Sequence, residues 1–188
     1  DVKLIESSAE NFKITTSNDF ERAERQIAAA RETRVGQGYD VHALIPGAKV
    51  TLCGVDIPFE MALSGHSDAD VSMHALTDAI FGALAEGDIG QWFPPSEAEW
   101  KGADSAIFLE KAMERVRARG GVLVNADVTI VCEQPKIGPH AQAMREKLAK
   151  IMDVDVSRIS VKATTSERLG FTGRQEGIAA NAVVSISL

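Results

Sequence analysis

Arg34-Val35-Gly36-Gln37-Gly38-Tyr39-Asp40-Val41-His42 is where the texture of the chain changes. Upstream the sequence is polar and Ala-rich; downstream, apolar runs alternate with turn residues. The stretch reads as a β-strand. Its two glycines carry no side chain and predict that another backbone passes close by. Period-2 geometry sends the side chains of Asp40 and His42 to one face. A carboxylate and an imidazole on one face suit a divalent ion such as zinc. The plain alternative is a polar strand end with a histidine bonded to the nearby aspartate.

Working outward, residues 49–53, 123–131, 159–163 and 178–188 read as further strands, and 61–68 as a loop. Across 70–85, Val71, Ala75, Leu76, Ala79, Ile80, Ala83 and Leu84 fall at helical spacing. His74 lies on the other side of that helix with Asp70, Thr77, Asp78 and Phe81, so it faces solvent or a site. Asp78, one turn on, is placed to orient the His74 ring. Asp40, His42 and His74 together would make three ligands with a fourth position open, though their spacing in sequence is not diagnostic of a metal site. Gly87-Asp88-Ile89-Gly90 stops the helix. A second helix, capped by Asp104 or Ser105, runs to Arg119, and an amphipathic one covers 139–152. Strands and helices alternating without repeats predict one mixed-sheet layer fold.

Two other segments suit an anion. Gly65-His66-Ser67-Asp68 precedes a helix N-terminus, where free amides favour negative charge; an N-cap by Ser67 or Asp68 is the alternative. Thr164-Thr165-Ser166-Glu167 follows a strand, and its hydroxyls and amides suit phosphate oxygens. Glu167 suits a hard divalent ion such as magnesium. An ST-turn is the plain alternative there, as a structural ion pair with Glu176 is for Arg174. His140 reads as a surface residue, and Trp92, Trp100 and Met73 as packing.

The composition narrows the classes. At 188 residues, 45% hydrophobic and 25% charged, the chain is one globular domain with a little left over. No apolar run approaches the roughly 20 residues of a membrane helix, and no secretory leader is visible. Cys53 and Cys132 are too few for a disulfide scaffold, so a reducing cytoplasm is expected. The net charge is −7 and no Lys/Arg cluster marks a nucleic-acid footprint. An anionic ligand would therefore draw on backbone amides or metal ions. Neither membrane nor nucleic acid is an expected partner.

Four ordered motifs resemble the 2-C-methyl-D-erythritol 2,4-cyclodiphosphate synthase family. They are residues 34–42; Gly65-His66-Ser67-Asp68-Ala69-Asp70-Val71-Ser72-Met73-His74-Ala75-Leu76-Thr77-Asp78; Gly87-Asp88-Ile89-Gly90; and Lys162-Ala163-Thr164-Thr165-Ser166-Glu167-Arg168-Leu169-Gly170-Phe171-Thr172-Gly173-Arg174. The likeness covers about residue 34 to 188. It implies an α+β (α/β layer) fold, with a mixed four-stranded sheet packed on helices, in a homotrimer with active sites between subunits. It implies zinc on Asp40, His42 and His74, and magnesium or manganese on Glu167 and the substrate diphosphate. The implied reaction converts 4-diphosphocytidyl-2-C-methyl-D-erythritol 2-phosphate to the cyclic diphosphate, releasing CMP. His66 and Thr165 match positions that bind phosphate and stabilise the transition state. Asp88 and Gly90 match the sugar-binding segment, and Ser67 and Phe93 also match substrate-binding positions. Cys132, Pro135, Lys136, Ala163 and Thr164 match the cytidine pocket. Phe171 and Arg174 match positions near the trimer axis and a substrate phosphate.

Residues 1–33 stand apart. Asn11-Phe12-Lys13-Ile14-Thr15-Thr16 is strand-like, Asn18 and Glu21 form a capping-box pattern, and a polar helix follows to about Arg31. This tail resembles the C-terminal end of the cytidylyltransferase of the same pathway. With no initiator Met, the chain is expected to be part of a fused bifunctional protein: 1–33 the transferase end plus linker, 34–188 the synthase. The transferase domain is then a partner in the intact fusion. Two other classes compete: a zinc hydrolase with water in the open position, and a trimeric binding module with a structural metal.

Overall fold

Close packing of a helix on a glycine-bearing strand organises the larger part of the molecule. The computed structural model describes every residue except Asp1, Val2, Leu4, Ser7, Ala9, Glu10, Ala30, His66, Pro95 and Lys101, and omits the side chains of Ala28, Ala29 and Ala98. Two compact units are present, Asp1–Glu32 and Thr33–Leu188.

The first unit holds α1 (Ser17–Ala29). Its capping box is formed by Thr16 and Asp19, not Asn18 and Glu21. The Asp19 N–H donates to Thr16 Oγ1 at 3.2 Å, and the Asp19 carboxylate accepts the Thr16 N–H at 3.0 Å. That carboxylate also takes the Thr15 N–H and both threonine hydroxyls, which moves the helix start upstream and puts Asn18 inside the helix. The run 11–16 is not a strand; its alternation finds no ladder partner among the described residues.

In the second unit the elements are β1 (Thr33–Pro46), β2 (Lys49–Leu52), β3 (Val55–Pro58), β4 (Met61–Leu63), α2 (Val71–Leu84), α3 (Ile89–Trp92), α4 (Ser105–Ala118), β5 (Val122–Val131), α5 (Ala141–Met152), β6 (Ile159–Thr164), α6 (Gly170–Gly173) and β7 (Gly177–Ser187). The main sheet has five strands in the order β4-β1-β7-β5-β6, and β2–β3 forms a separate hairpin. Only β5 and β6 run parallel. The α+β class and the mixed sheet match the expectation; four strands do not. The extra edge strand β4 has three residues, too short for alternation to be legible.

On β1, Val35, Gln37, Tyr39 and Val41 are exposed, while Gly36 and Gly38 are buried and Asp40 and His42 half-buried. A Cβ on Gly36 would lie 1.9 Å from the Ala79 carbonyl oxygen, and one on Gly38 1.9 Å from that of Ala75. Backbone therefore meets backbone, a contact only glycine permits. Ala75, Ala79 and Ala83 keep the opposing helix row small. α2 also packs on β7 and α4, so it is buried nearly all round. Thr77 and Phe81, expected beside His74, are fully buried; only His74, Asp78 and Gly82 are not. Phe81 stacks on Trp92. Leu76, Ile80, Leu109, Ile130, Met144, Leu148 and Val184 fill the core between sheet and helices.

Asp70, rather than Ser67 or Asp68, caps α2. Its buried carboxylate accepts the N–H groups of Ser72 and Met73, and also those of Cys53 and Gly54 in the β2–β3 turn. Those two residues are left-handed, at φ 51° and 70°, as a two-residue hairpin of type I′ requires. One cap thus ties the hairpin to the helix. Burial pushes the Asp70 carboxyl up to about 6 despite these bonds. No described helix is long and apolar enough to cross a membrane.

Candidate active site

Strand β1 and helix α2 bring Asp40, His42 and His74 to one end of a cleft of about 520 Å³, whose lining also includes Ser67, Asp78, Gly90, Phe93, Trp100 and Phe108. Asp40 Oδ2 lies 2.8 Å from His42 Nε2 and 3.1 Å from His74 Nδ1, and the two ring nitrogens are 3.1 Å apart. The outer nitrogens decide what those atoms are. His42 Nδ1 is 2.7 Å from the Ser64 carbonyl oxygen, which can only accept, so that nitrogen carries the hydrogen. His74 Nε2 is 2.9 Å from Ser105 Oγ and 3.0 Å from Ser67 Oγ. The Ser105 hydroxyl donates to the Asp68 carboxylate, so it accepts from His74. In their neutral forms, both rings therefore aim a lone pair at the Asp40 oxygen.

Three acceptors that close repel unless a cation lies among them. A metal ion or a proton on an imidazole can play that part. Burial alone would raise the Asp40 carboxyl, but the hydrogen bonds from His42 and His74 hold it well below the usual range. Burial alone would lower His42, but its bond to Asp40 raises it. The carboxylate–imidazole donor set and the outer hydrogen bonds fit a zinc-type ion. Among the described residues this is the one group of three such ligands within 4.8 Å of one another.

Other expected residues have different partners. Asp78 does not orient His74: its Oδ1 accepts the Ile89 N–H at 2.7 Å and fixes the start of α3, with burial raising its carboxyl. Asp88 caps α3, accepting from the Gln91 backbone and side chain. His66 lies outside the described residues.

A second cluster stands at the end of β6. The Cys132 N–H donates to the Thr164 carbonyl at 3.1 Å. Cys132 is buried, with its thiol on the Pro135 carbonyl and pushed up to about 11 by burial. Pro135 is buried and Lys136 exposed, while Ala163 and Thr164 are exposed at the strand end. The Thr165 hydroxyl donates to Glu167 Oε1 at 2.9 Å. The amides expected to meet phosphate are not all free: the Ser166 and Arg168 N–H groups donate to Glu133 Oε1. Phe171 is half-buried on α6, and exposed Arg174 is paired in two bonds with Glu176.

The two clusters stand apart. Asp40 pairs with Ala180, Ala180 with Ile130, and Ile130 with Ala163. Three ladder steps make about 14 Å. Ala180 and Ile130, both at 0% exposure, fill the face between them. Ser64, Asp68 and Ser105 set the ring tautomers; the sequence marked Asp68 and Ser105 only as capping candidates and did not mark Ser64 at all. Nor did Glu133 stand out in the 132–136 turn.

The profile described as the YgbB family matches residues 33–187. A bifunctional enzyme IspD/IspF from Gluconobacter oxydans is 62% identical over 185 residues, covering 98% of this chain and 48% of its own length. The chain spans about half the length of the curated relatives it matches. The solved structure of the bifunctional IspDF from Campylobacter jejuni matches with a TM-score of 0.81 at 42% identity, over 84% of this chain and 43% of that one. A 2C-methyl-D-erythritol-2,4-cyclodiphosphate synthase in a CDP-bound form matches at 0.74 and 40%, over 80% and 98%. The chain belongs to the YgbB family, that of the 2-C-methyl-D-erythritol 2,4-cyclodiphosphate synthases.

Proposed function

We propose that this chain cyclises 4-diphosphocytidyl-2-C-methyl-D-erythritol 2-phosphate to 2-C-methyl-D-erythritol 2,4-cyclodiphosphate with release of CMP. The observation that carries the reading is the convergence of Asp40, His42 and His74 on one point beside the cleft, in a chain of this family. No amino-acid nucleophile is required. An oxygen of the substrate's 2-phosphate attacks the β-phosphorus, the bond to the oxygen of CMP breaks, and CMP leaves with that oxygen. The protein's work is to fold a polyanion until two phosphates meet, which is proximity catalysis. Asp40, His42 and His74 would hold zinc, and Glu167 magnesium or manganese; when bound, these ions supply positive charge to the phosphate oxygens. Thr165 and His66 donate to phosphate, Ser67, Gly90 and Phe93 line the sugar end beside Asp88, and the 132–136 turn with Ala163 and Thr164 receives cytidine. Phe171 and Arg174 complete the phosphate side.

The loop after β6 does not line the cleft that the triad borders, and the buried Ala180 and Ile130 stand between the two clusters on the sheet. A homotrimer with active sites between subunits would bring them together, with the metal triad from one copy and the loop after β6 from its neighbour. The open sheet face, with Val35, Val41 and Val183 exposed, suits such self-association. In the intact fusion, a cytidylyltransferase domain precedes this one, residues 1–33 being its end and linker, in a cytoplasmic enzyme. Incubation with the cytidine substrate and divalent metal should give CMP and the cyclic diphosphate by mass spectrometry. Linear phosphates would instead favour a zinc hydrolase, and an unchanged substrate would sink both.

A further inference from the structure

The turn after β5 and the loop after β6 meet at a single carboxylate. Glu133 Oε1 accepts the Ser166 N–H and the Arg168 N–H, each at 3.1 Å, and the Ser166 hydroxyl lies 3.4 Å away. Between and at those amides, Glu167 and Arg168 adopt left-handed backbone conformations, at φ 53° and 62°. Two successive non-glycine residues in that region persist only where the surroundings impose it. The surroundings are specific. The buried Thr172 donates its hydroxyl to Ser166 Oγ, which donates to the Leu169 carbonyl, both at 2.8 Å. Gly173 lies so close to Arg168 that a Cβ there would sit 2.1 Å from its carbonyl carbon. The carboxylate occupies the nest of amides as a bound anion would. With the backbone so held, the Thr165 hydroxyl and the Glu167 carboxylate are joined at 2.9 Å.

We propose that Glu133 is a positioning residue. Its carboxylate locks the left-handed Glu167–Arg168 pair, and so couples the nucleotide-side turn 132–136 to the loop that presents Thr165 and Glu167 to the diphosphate and its divalent ion. The proposal rests on the functional reading above for what the loop presents. With Oε1 taken up by two backbone amides, the carboxylate is placed to act through the loop.

The first test needs no substrate. In amide hydrogen exchange on the full chain, the Ser166 and Arg168 amides should be protected; Glu133→Ala should expose them, and Glu133→Gln, which keeps a side-chain carbonyl acceptor, should restore protection. The second test titrates magnesium or manganese against turnover. Glu133→Ala should raise the concentration for half-maximal turnover about 10-fold, the scale set by losing a support behind a metal ligand, with zinc content unchanged and Glu133→Gln rescuing most of the loss. Unprotected amides in the wild type, or a Glu133→Ala protein with normal exchange and metal requirement, overturns the proposal. So does a Glu133→Gln protein as defective as Glu133→Ala, since that would mark a direct ligand. If Glu133→Ala does not fold, the wild-type exchange and the Gln variant decide. A wild type that is protected yet never forms CMP defeats the functional reading alone.

Discussion

The Ser105 hydroxyl stands between the Asp68 carboxylate and His74 Nε2, and it leaves His74 Nδ1 with a lone pair for a metal. Removing such a support typically costs 10- to 100-fold in metal affinity. Ser67 also reaches His74 Nε2, so Ser105→Ala should fall at the low end, about 10-fold weaker zinc in a chelator competition. A variant with wild-type affinity would show the serine to be mere packing. The charges at Asp40 and His42 give a second expectation. Asp40 is lowered, so its contribution to stability is present above about 3.8 and lost as pH falls through its folded value. His42 is raised, so its contribution is full below about 6.5 and lost as pH rises through its folded value. Metal-free protein should therefore lose thermal stability as pH rises above about 6.5, while the zinc-loaded form gains it, because a bound zinc ion would displace the proton. Parallel melting curves across that range check the sign. At this scale the strand period put Asp40 and His42 on one face, while His74 joined them through the family resemblance; the structure brings all three together. The supports were not legible: Ser64 and Ser105 reach the rings from 22 and 31 residues away, a separation no local pattern encodes.

Among the elements, β1 and α2 are locked together by what their residues lack. At Gly38 a methyl group would meet helix backbone, so Gly38→Ala must lift α2 off the sheet. Overpacking of this kind costs about 1–3 kcal/mol. The lift also moves His74 away from Asp40 and His42, so zinc affinity should fall with the melting temperature. Loss of stability with unaltered zinc binding would separate the two effects and contradict the argument. The Gly36–Gly38 spacing announced this contact in the sequence. What it could not announce was the depth of α2: a helix covered by sheet, α3 and α4 buries Thr77 and Phe81 whatever their side of the wheel. The three-residue strand β4 escaped notice for want of length. The cap passed from Ser67 or Asp68 to Asp70 because a hairpin 16 residues upstream shares the same carboxylate.

For the whole molecule, every candidate ligand lies in the unit that begins at Thr33. Ile14, Phe20 and Ile27 of the other unit are all more than half exposed. A chain beginning at Arg31 is expected to keep the oligomeric state, zinc content and turnover of the longer one, measured by light scattering, metal analysis and CMP release. A change of oligomeric state on truncation would place the tail within the assembly. The wide spacing of the two clusters has a further consequence, one of arithmetic. Suppose His74→Ala protein, lacking the triad, is unfolded and reassembled in equal parts with Thr165→Val protein, lacking the loop hydroxyl. Each parent damages every site it forms alone. In random mixed rings, a site is whole whenever an intact triad happens to face an intact loop, which occurs at about one site in four for a closed ring of identical contacts. Two crippled preparations, blended, should recover about a quarter of the wild-type rate, whereas sites built within single chains would recover nothing.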